Sequence, residues 1–419
     1  MKRTWIVVSL MLFTGLFGSV LACPFCLAPM QTWSEMVAES EVVCLAKLVT
    51  VTEGSRTETA YSVLEVSSIH KGKQLLTEST VRIEDHLYGK PGDLFLLKGS
   101  MQAPAGTKLV ETFATDADGA ALNGRSPIQK VSATTDTTDS AEVKSLEWDF
   151  MERVSKESYS YVTEAPSPDS PASERLTYFL PFLEHSDPLI AADAWGEFAN
   201  SAYEDITAMR SQLPRKKLRG WISQADTSPE RLGLYGMMLG LCGNKSDAVF
   251  LKRQIGQPSA DEIRFGVEGL MGGLLLLTGE DGLKFLEETR LQASGVSDME
   301  SLATVQALQF VWTYEPELFA KDRLRKSLHP TLQNSALREI VIRDLARWND
   351  WTITPQLAEI YQANTEDDPG SLRAIVGYLL TCCKSDVASE TQIADAAELL
   401  EQIRETDPKV VKMVERTLR

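Results

Sequence analysis

The chain has 419 residues, of which 43% are hydrophobic and 24% are charged. This composition is typical of a globular protein, and the length predicts more than one domain. The 59 acidic and 42 basic side chains give a formal net charge of −17. Such a surface repels phosphate backbones and anionic lipid, which argues against nucleic acid as a partner.

The first 22 residues have the layout of an export signal. Lys2 and Arg3 form a positive segment, residues 5–16 are almost wholly apolar, and Ala22 stands at the expected cleavage position. We therefore predict a signal peptide over 1–22 and an exported protein that is periplasmic, associated with the cell envelope, or secreted. An uncleaved membrane anchor is the alternative, because the apolar run approaches the length that spans a bilayer.

Val20-Leu21-Ala22-Cys23 also resembles a bacterial lipobox, in which the cysteine is acylated and becomes the first mature residue. Ordinary signal peptidase would cut the same bond, so both interpretations predict Cys23 as the mature N-terminus. Contact with a membrane is then expected only through a lipid at Cys23 or through an uncleaved signal.

Cys23 and Cys26 have the C-x-x-C spacing that redox sites share with metal and structural sites. A thioredoxin-like pair needs a preceding strand and a helix N-terminus that lowers the thiol pKa, and nothing upstream of Cys23 survives cleavage. A haem c site would need histidine at the position of Leu27. The spacing therefore does not favour redox or haem chemistry here.

A disulfide is the main prediction for the N-terminal cysteines. We predict that Cys44 bonds to Cys23 or Cys26 and staples the N-terminal segment to the first strand, as an oxidising compartment permits. The unpaired cysteine would then be free for lipidation. A zinc site that combines these cysteines with His70 or His86 is the alternative, but one C-x-x-C pair is a weak metal signal. We predict no cofactor and no metal.

Residues 41 to about 130 are predicted to be β-structure. Segments rich in β-branched or alternating apolar residues are separated by turns at 53–55, 71–73 and 90–92. A short helix in MQTWSEMVAES precedes them. The candidate strands are EVVCLAKLVTV, TAYSVLEVSSI, STVRIEDHLYG, GDLFLLKGS, KLVETFATD and PIQKVSA. Short strands at this spacing predict a small barrel or sandwich over residues 23–131.

The N-terminal module resembles the netrin-like module shared with tissue inhibitors of metalloproteases. The resemblance lies in the mature N-terminal cysteine, a second cysteine close by, a short helix and strands with a KGK turn. It implies an OB-type β-barrel. In those inhibitors the amine and carbonyl of the N-terminal cysteine bind the catalytic zinc of the target, so the resemblance implies such a role for Cys23.

Residues 132–173 are predicted to join two domains. A polar loop, SATTDTTDSAEV, is followed by a predicted helix around VKSLEWDFMERV. The segment EAPSPDSPAS at 164–173 then carries three prolines. Such a Pro/Ser-rich segment is typical of an extended linker and marks the predicted domain boundary.

An internal repeat appears in the helical part, residues 174–419. RLGLYGMMLG (231–240) aligns with RFGVEGLMGG (264–273) at an offset of 33 residues, and LREIV (337–341) aligns with LRAIV (372–376) at 35. Small residues three and four apart let a neighbouring helix approach closely. A period of this length predicts an all-α solenoid.

Asp187-Pro188 precedes an alanine-rich helix and resembles the HEAT repeat, in which such a pair opens the second helix. The resemblance implies about five or six stacked helix pairs. The predicted fold class is therefore α+β and multidomain, with a small OB/netrin-like β-barrel followed by an all-α solenoid of HEAT-like repeats.

Two basic clusters stand out in the acidic chain. They are candidates for a binding surface on one face of the solenoid that holds an acidic peptide or a carboxylated polymer. A solvated helix face is the alternative. The candidate residues are Arg215, Lys216, Lys217, Arg219, Arg323, Arg325 and Lys326.

No nucleophile elbow, H-E-x-x-H helix, phosphate loop or dinucleotide motif is visible, so we predict no catalytic residues. The layout resembles a family of exported bacterial proteins that begin CPFC and continue into helical repeats, a resemblance that implies no activity. We predict an exported scaffold with a protein partner, bound on the helical-repeat surface. The alternative is metalloprotease inhibition, or thiol- or metal-dependent activity, centred on the N-terminal cysteines.

Overall fold

The computed structural model describes residues 23–26, 30–54, 59–76, 78–101, 146–257, 264–363 and 368–417. They form an α+β structure in which one helix and an antiparallel sheet are followed by an array of helices. The predicted signal peptide, the polar loop at 132–143 and the last two predicted strands lie outside the described residues.

The first helix and the sheet follow local sequence signals. Helix α1 (Trp33–Glu39) begins with a capping box in which the side chains of Thr32 and Glu35 each accept a backbone N–H. The first four predicted strands are confirmed. The strands are β1 (Val42–Thr52), β2 (Tyr61–Lys71), β3 (Thr80–Ile83), β4 (Leu94–Met101) and β5 (Leu146–Val154).

The sheet is open. Its strands lie in the order β3-β2-β1-β4-β5 and are antiparallel throughout. Within the described residues the edge strands β3 and β5 do not pair with each other, so the predicted barrel is not closed. The four residues of β3 offer few ladder positions for such a closure.

The helix predicted around residues 143–154 is wrong, because this segment contains β5. In LEWDF (146–150) three half-buried apolar side chains alternate with two exposed carboxylates, which is the two-residue period of a strand. The high helix propensity of Leu, Glu and Met obscured this signal. Pairing with β4, in which Leu97 lies opposite Met151, determines the structure. The sheet thus takes a strand from beyond residue 131.

Sixteen further α-helices follow in the described part of the chain. They are α2 (Lys156–Glu164), α3 (Ala172–Phe179), α4 (Pro188–Ala199), α5 (Tyr203–Ala208), α6 (Arg215–Ile222), α7 (Pro229–Cys242), α8 (Lys245–Ile255), α9 (Val267–Thr278), α10 (Glu280–Leu286), α11 (Asp298–Tyr314), α12 (Lys321–Leu328), α13 (Ser335–Arg347), α14 (Thr354–Ala363), α15 (Pro369–Cys382), α16 (Glu390–Thr406) and α17 (Pro408–Thr417). Short turns of 3₁₀ helix at Leu180–Phe182 and His329–Gln333, and of π helix at Glu287–Leu291, extend α3, α12 and α10.

The long helices pack in succession. Helix α7 packs on α9, α9 on α11, α11 on α13, α13 on α15, and α15 on both α16 and α17. The shorter helices α6, α8, α10, α12 and α14 connect these members and pack on them. The proline-rich segment between α2 and α3 is a seven-residue connection at 165–171.

Glycines bring α7 and α9 into backbone contact. A Cβ atom on Gly236 would lie 2.6 Å from the carbonyl carbon of Gly269, and one on Gly240 would lie 2.5 Å from the Cα atom of Gly273. Real Cβ atoms do not approach backbone so closely, so any side chain here would separate the two helices. The interpretation of the repeated glycines as a packing stripe is confirmed.

The sheet and the helical array share one hydrophobic core. Val43 and Leu45 of β1, with Leu96 and Val154, belong to the same buried cluster as the helical side chains. The opposite face of the sheet has a smaller core that includes Cys44, because successive residues of a strand point to opposite faces.

Asp193 on α4 fixes the N-terminal helices from inside the protein. It accepts the backbone N–H of Trp33 at 2.7 Å and the hydroxyl of Tyr161 at 2.7 Å. Its side chain is nearly inaccessible, and burial, the largest cause, raises the pKa of its carboxyl to about 7.

The raised pKa of Asp193 predicts a pH-dependent stability. Between the unfolded pKa of about 3.9 and the folded value, the folded state keeps a proton that the unfolded state loses. The stability contributed by Asp193 therefore falls as pH rises from 4 to 7, by about 1.4 kcal/mol for each step of one in pH. We expect the free energy of unfolding of the native protein minus that of Asp193→Asn to fall over this window and to be flat above it.

Urea denaturation at a series of pH values measures this difference. Asp281→Asn, which removes an exposed carboxylate at the start of α10, is the control and should run parallel to the native protein. A difference between native and Asp193→Asn that stays constant from pH 4 to 7 would contradict the prediction.

Glu197 lies one turn further along α4 and is completely buried. It accepts a hydrogen bond from the hydroxyl of Ser34 on α1 and pairs with the guanidinium of Arg175 on α3. The two carboxylates of α4 thus join α1, α2 and α3 to the helical array.

Candidate functional site

The Cys-Pro-Phe-Cys loop, residues 23–26, packs against helices α4, α7, α9 and α11 of the helical array. Cys23 and Cys26 form a disulfide, with their sulfur atoms 2.24 Å apart. The backbone N–H of Cys23 donates to the carbonyl of Ala199, the last residue of α4, at 3.1 Å. The N–H of Cys26 donates to the carbonyl of Cys23 at 3.2 Å. Cys23 is 4% exposed, whereas Cys26 is partly accessible.

Cys44 does not take part, so the predicted bridge from Cys44 to Cys23 or Cys26 is wrong. Its thiol is free and buried in the smaller core, where burial raises its pKa to about 12. Cys23 and Cys26 pack instead with the helical core on the other side of the sheet. The described residues contain no cluster of three or more His, Cys, Asp or Glu side chains that could hold a metal ion.

Phe25 is a wedge between the long helices. Its ring centroid lies 4.7 Å from that of Phe310 on α11. A Cβ atom on Gly272 of α9 would lie 2.6 Å from the ring, and one on Gly233 of α7 would lie 2.8 Å from the carbonyl oxygen of Phe25. The glycines of two successive repeats thus leave the space that the loop fills.

A cleft of about 820 Å³ opens beside this loop. The loop forms one wall, the N-terminal ends of α7 and α9 form the second, and the second half of α11 forms the third. Four aromatic rings line it: Phe25, Phe265, Phe310 and Tyr314. Phe265 is 60% exposed at the rim, although a phenylalanine is usually buried.

Two charged residues are found among the described residues of the cleft wall, and both are acidic. Glu230 is exposed in the first turn of α7, and Glu268 is half-buried in the first turn of α9. Burial raises the pKa of Glu268, and the backbone N–H groups of Gly266 and Glu268 oppose that shift. No lysine, arginine or histidine is found among the described residues that line the cleft.

A second, smaller cleft of about 560 Å³ shares Glu230 with the first. Met30 and Trp195 line it, and Arg231, the one cation among the described residues of its lining, forms an ion pair with Glu184 at 3.2 Å. The charges of Arg231 and Glu184 therefore balance each other within the chain.

The first predicted basic cluster is used mainly inside the chain. Arg215 and Arg219 on α6 both bond to Asp247 on α8, at 2.5 and 3.1 Å. Lys216 and Lys217 are exposed on α6 and line neither cleft. The two arginines therefore connect α6 to α8, and their role in a binding surface stays a prediction.

The second cluster behaves in the same way. Arg323 on α12 forms an ion pair at 2.5 Å with Glu287, a residue 36 positions earlier in the chain. Arg325 donates to the carbonyl of Trp348, and Lys326 forms an exposed pair with an aspartate one turn earlier. Neither cleft is lined by any of the seven basic candidates.

The environment of Cys23 supports a structural disulfide. A thiolate on Cys23 would lie in an apolar core beside the last turn of α4, where the helix dipole is negative. A low thiol pKa requires the opposite arrangement, at a helix N-terminus. The N–H and carbonyl of Cys23 are also both hydrogen-bonded inside the chain, to Ala199 and to Cys26.

The sequence pointed to the cysteines but not to the cleft beside them. The useful signal was the glycine stripe of the repeats, which marks where another element comes close to α7 and α9. Among the described residues, no helix combines the length and apolar character needed to cross a bilayer. No protein-family model, curated protein or solved structure matches the chain.

Proposed function

We propose that this protein binds a segment of another polypeptide in the cleft beside the Cys23–Cys26 loop. The observation that carries the proposal is the composition of this cleft, which combines four aromatic rings with two carboxylates. Its volume of about 820 Å³ is that of a ligand site, and an exposed aromatic at the rim is typical of binding surfaces.

The helical array supports an interaction role. Helices packed in succession at the repeat spacing are the arrangement of solenoids, whose extended surfaces bind partner chains. We therefore propose that residues 174–419 are HEAT-like repeats. The netrin-like relationship is proposed only for the strand-forming segment, and zinc binding by Cys23 forms no part of the proposal.

We also propose that the chain is exported and cut before Cys23 without lipidation. A thioether-linked lipid and the disulfide both require the sulfur of Cys23, so each excludes the other. A new α-ammonium group at Cys23 would lie at the C-terminal end of α4, where the helix dipole favours a cation.

Intact mass and a thiol count test this processing. We expect the mass of residues 23–419 less two hydrogen atoms. Under denaturing conditions four of the six cysteines should react with iodoacetamide, and all six should react after reduction. A mass that includes a diacylglycerol group, or five or more reactive thiols before reduction, would contradict unlipidated processing.

Selection from a displayed library of random peptides against the oxidised full-length protein tests the binding role. We expect the enriched peptides to lose about tenfold or more in affinity for Phe265→Ser, since burying a phenylalanine ring contributes about 1.5–3 kcal/mol. Tyr88→Ser removes an aromatic ring that is highly exposed outside both clefts, and it should leave affinity unchanged. Failure to enrich any peptide, or equal binding by Phe265→Ser, would refute the proposal.

A further inference from the structure

The described residues of the chain do not balance the negative charge of the cleft. Glu230 and Glu268 line it, and the described residues of its wall include no cation. A further carboxylate lies beside its aromatic end. Tyr203, which contacts Phe310 and Tyr314, donates its hydroxyl to Glu315 at 2.5 Å.

Several shielded carboxylates of the helical array pair with arginine, and Glu268 differs from them. Glu197 pairs with Arg175, Asp247 with Arg215, Glu287 with Arg323, and Glu300 with Arg264 and Arg290. Within the described part of the chain, Glu268 forms no ion pair with a lysine, arginine or histidine, and burial raises the pKa of its carboxyl. A half-buried carboxylate with no cation is stabilised when a ligand supplies one.

The aromatic rings around Glu268 suit the same kind of ligand. A lysine or arginine head group is attracted to the faces of aromatic rings as well as to carboxylates. The rings are also suited to bury an apolar side chain that stands next to the lysine or arginine in the ligand. Phe265 at the rim is accessible for this contact.

We infer that the cleft selects a peptide segment in which a lysine or arginine is flanked by apolar or aromatic side chains. The cation contacts the carboxylates of Glu268 and Glu230, and its neighbours pack on Phe265 and Tyr314. This inference rests on the proposed function and adds the chemical class of the partner. A partner with acidic segments, which the sequence suggested, is not what this cleft attracts.

Three blocked pentapeptides test the inference, each with one central residue between two phenylalanines. The central residue is lysine, norleucine or glutamate, so the series changes charge while it keeps the aromatic neighbours. Affinities for the oxidised full-length protein are measured by calorimetry. We expect the lysine peptide to bind at least tenfold more tightly than the norleucine peptide and the glutamate peptide to bind most weakly. Added salt should weaken the lysine peptide selectively.

Matched variants locate the effect. Glu268→Gln keeps the size of the side chain and should reduce the preference for lysine over norleucine about tenfold. Glu230→Gln changes an exposed side chain and should reduce the preference in the same direction. Glu359→Gln removes an exposed carboxylate of α14 that does not line the cleft, and it should change nothing.

The outcomes separate the two proposals. If the norleucine or glutamate peptide binds as well as the lysine peptide, and Phe265→Ser still abolishes binding, the charge inference is wrong and the binding role stands. If Glu268→Gln and Glu230→Gln both keep the full preference for lysine, the charge inference is likewise wrong and the binding role stands. If no pentapeptide binds and library selection also fails, both proposals are wrong.

Discussion

Replacing Arg175 with methionine is expected to lower the free energy of unfolding by about 3–5 kcal/mol. The substitution keeps the apolar stem of the side chain but leaves the carboxylate of Glu197 buried without its cation. Glu197 is completely inaccessible, and the side chain of Arg175 is only 15% exposed, so solvent cannot replace the lost partner. Urea denaturation followed by circular dichroism at neutral pH measures the effect.

Arg404→Met is the matched control. Arg404 also pairs with two carboxylates, on Glu401 and Glu415, but its side chain is 41% exposed. An exposed pair contributes about 1 kcal/mol or less, so this variant should be close to the native protein. If Arg175→Met and Arg404→Met prove equally stable, Glu197 does not depend on Arg175 as we describe.

Gly269→Ala is expected to lower the free energy of unfolding by about 3 kcal/mol, although alanine is the better helix former. The added Cβ atom would lie 2.5 Å from the Cα atom of Gly233 on the neighbouring helix. Backbone atoms cannot rotate away as a flexible side chain can, so α7 and α9 must separate. Thermal and urea denaturation both report this loss.

Gly220→Ala makes the same chemical change on α6, where the added Cβ meets no atom within 4 Å outside its own stretch of helix. Only helix propensity changes there, so this variant should be more stable than the native protein by about 0.5–1 kcal/mol. The two variants must therefore shift stability in opposite directions. If Gly269→Ala stabilised the protein, α7 and α9 would have to lie further apart at this position than the 2.5 Å distance to the added Cβ atom implies.

Local signals account for the parts of the fold that could be predicted. The first four strands are rich in β-branched or other apolar residues, and turns that contain Gly54, Gly72 and Gly92 separate them, so the local sequence favours this structure. The helical repeat was visible because glycines at matching offsets, such as Gly236 and Gly269, record close helix packing. Strand β5 was missed because helix propensity and strand alternation conflict within the same nine residues.

Long-range pairings could not be predicted from the same signals. The spacing of Cys23 and Cys26 does not show on which side of the sheet they pack. They pack with the helical core, whereas Cys44 points to the opposite face of the sheet and cannot bond to them. Arg215 and Arg323 stood out as cations, but their carboxylate partners lie 32 and 36 positions away. The cleft combines residues of three helices with the N-terminal loop, and each of those residues is ordinary in its own segment.

Phe25 packs on Phe310, which lies about 285 positions later in the chain. The N-terminus is synthesised first, but Phe25 cannot pack on Phe310 until α11 has formed. Helix α11 ends about three quarters of the way along the 419 residues. Closing so long a loop costs entropy that the pairing of adjacent helices does not. We therefore expect the helices to assemble first and the N-terminal loop to insert at the end of folding. The first described residues of the chain would then be the last to reach their native positions.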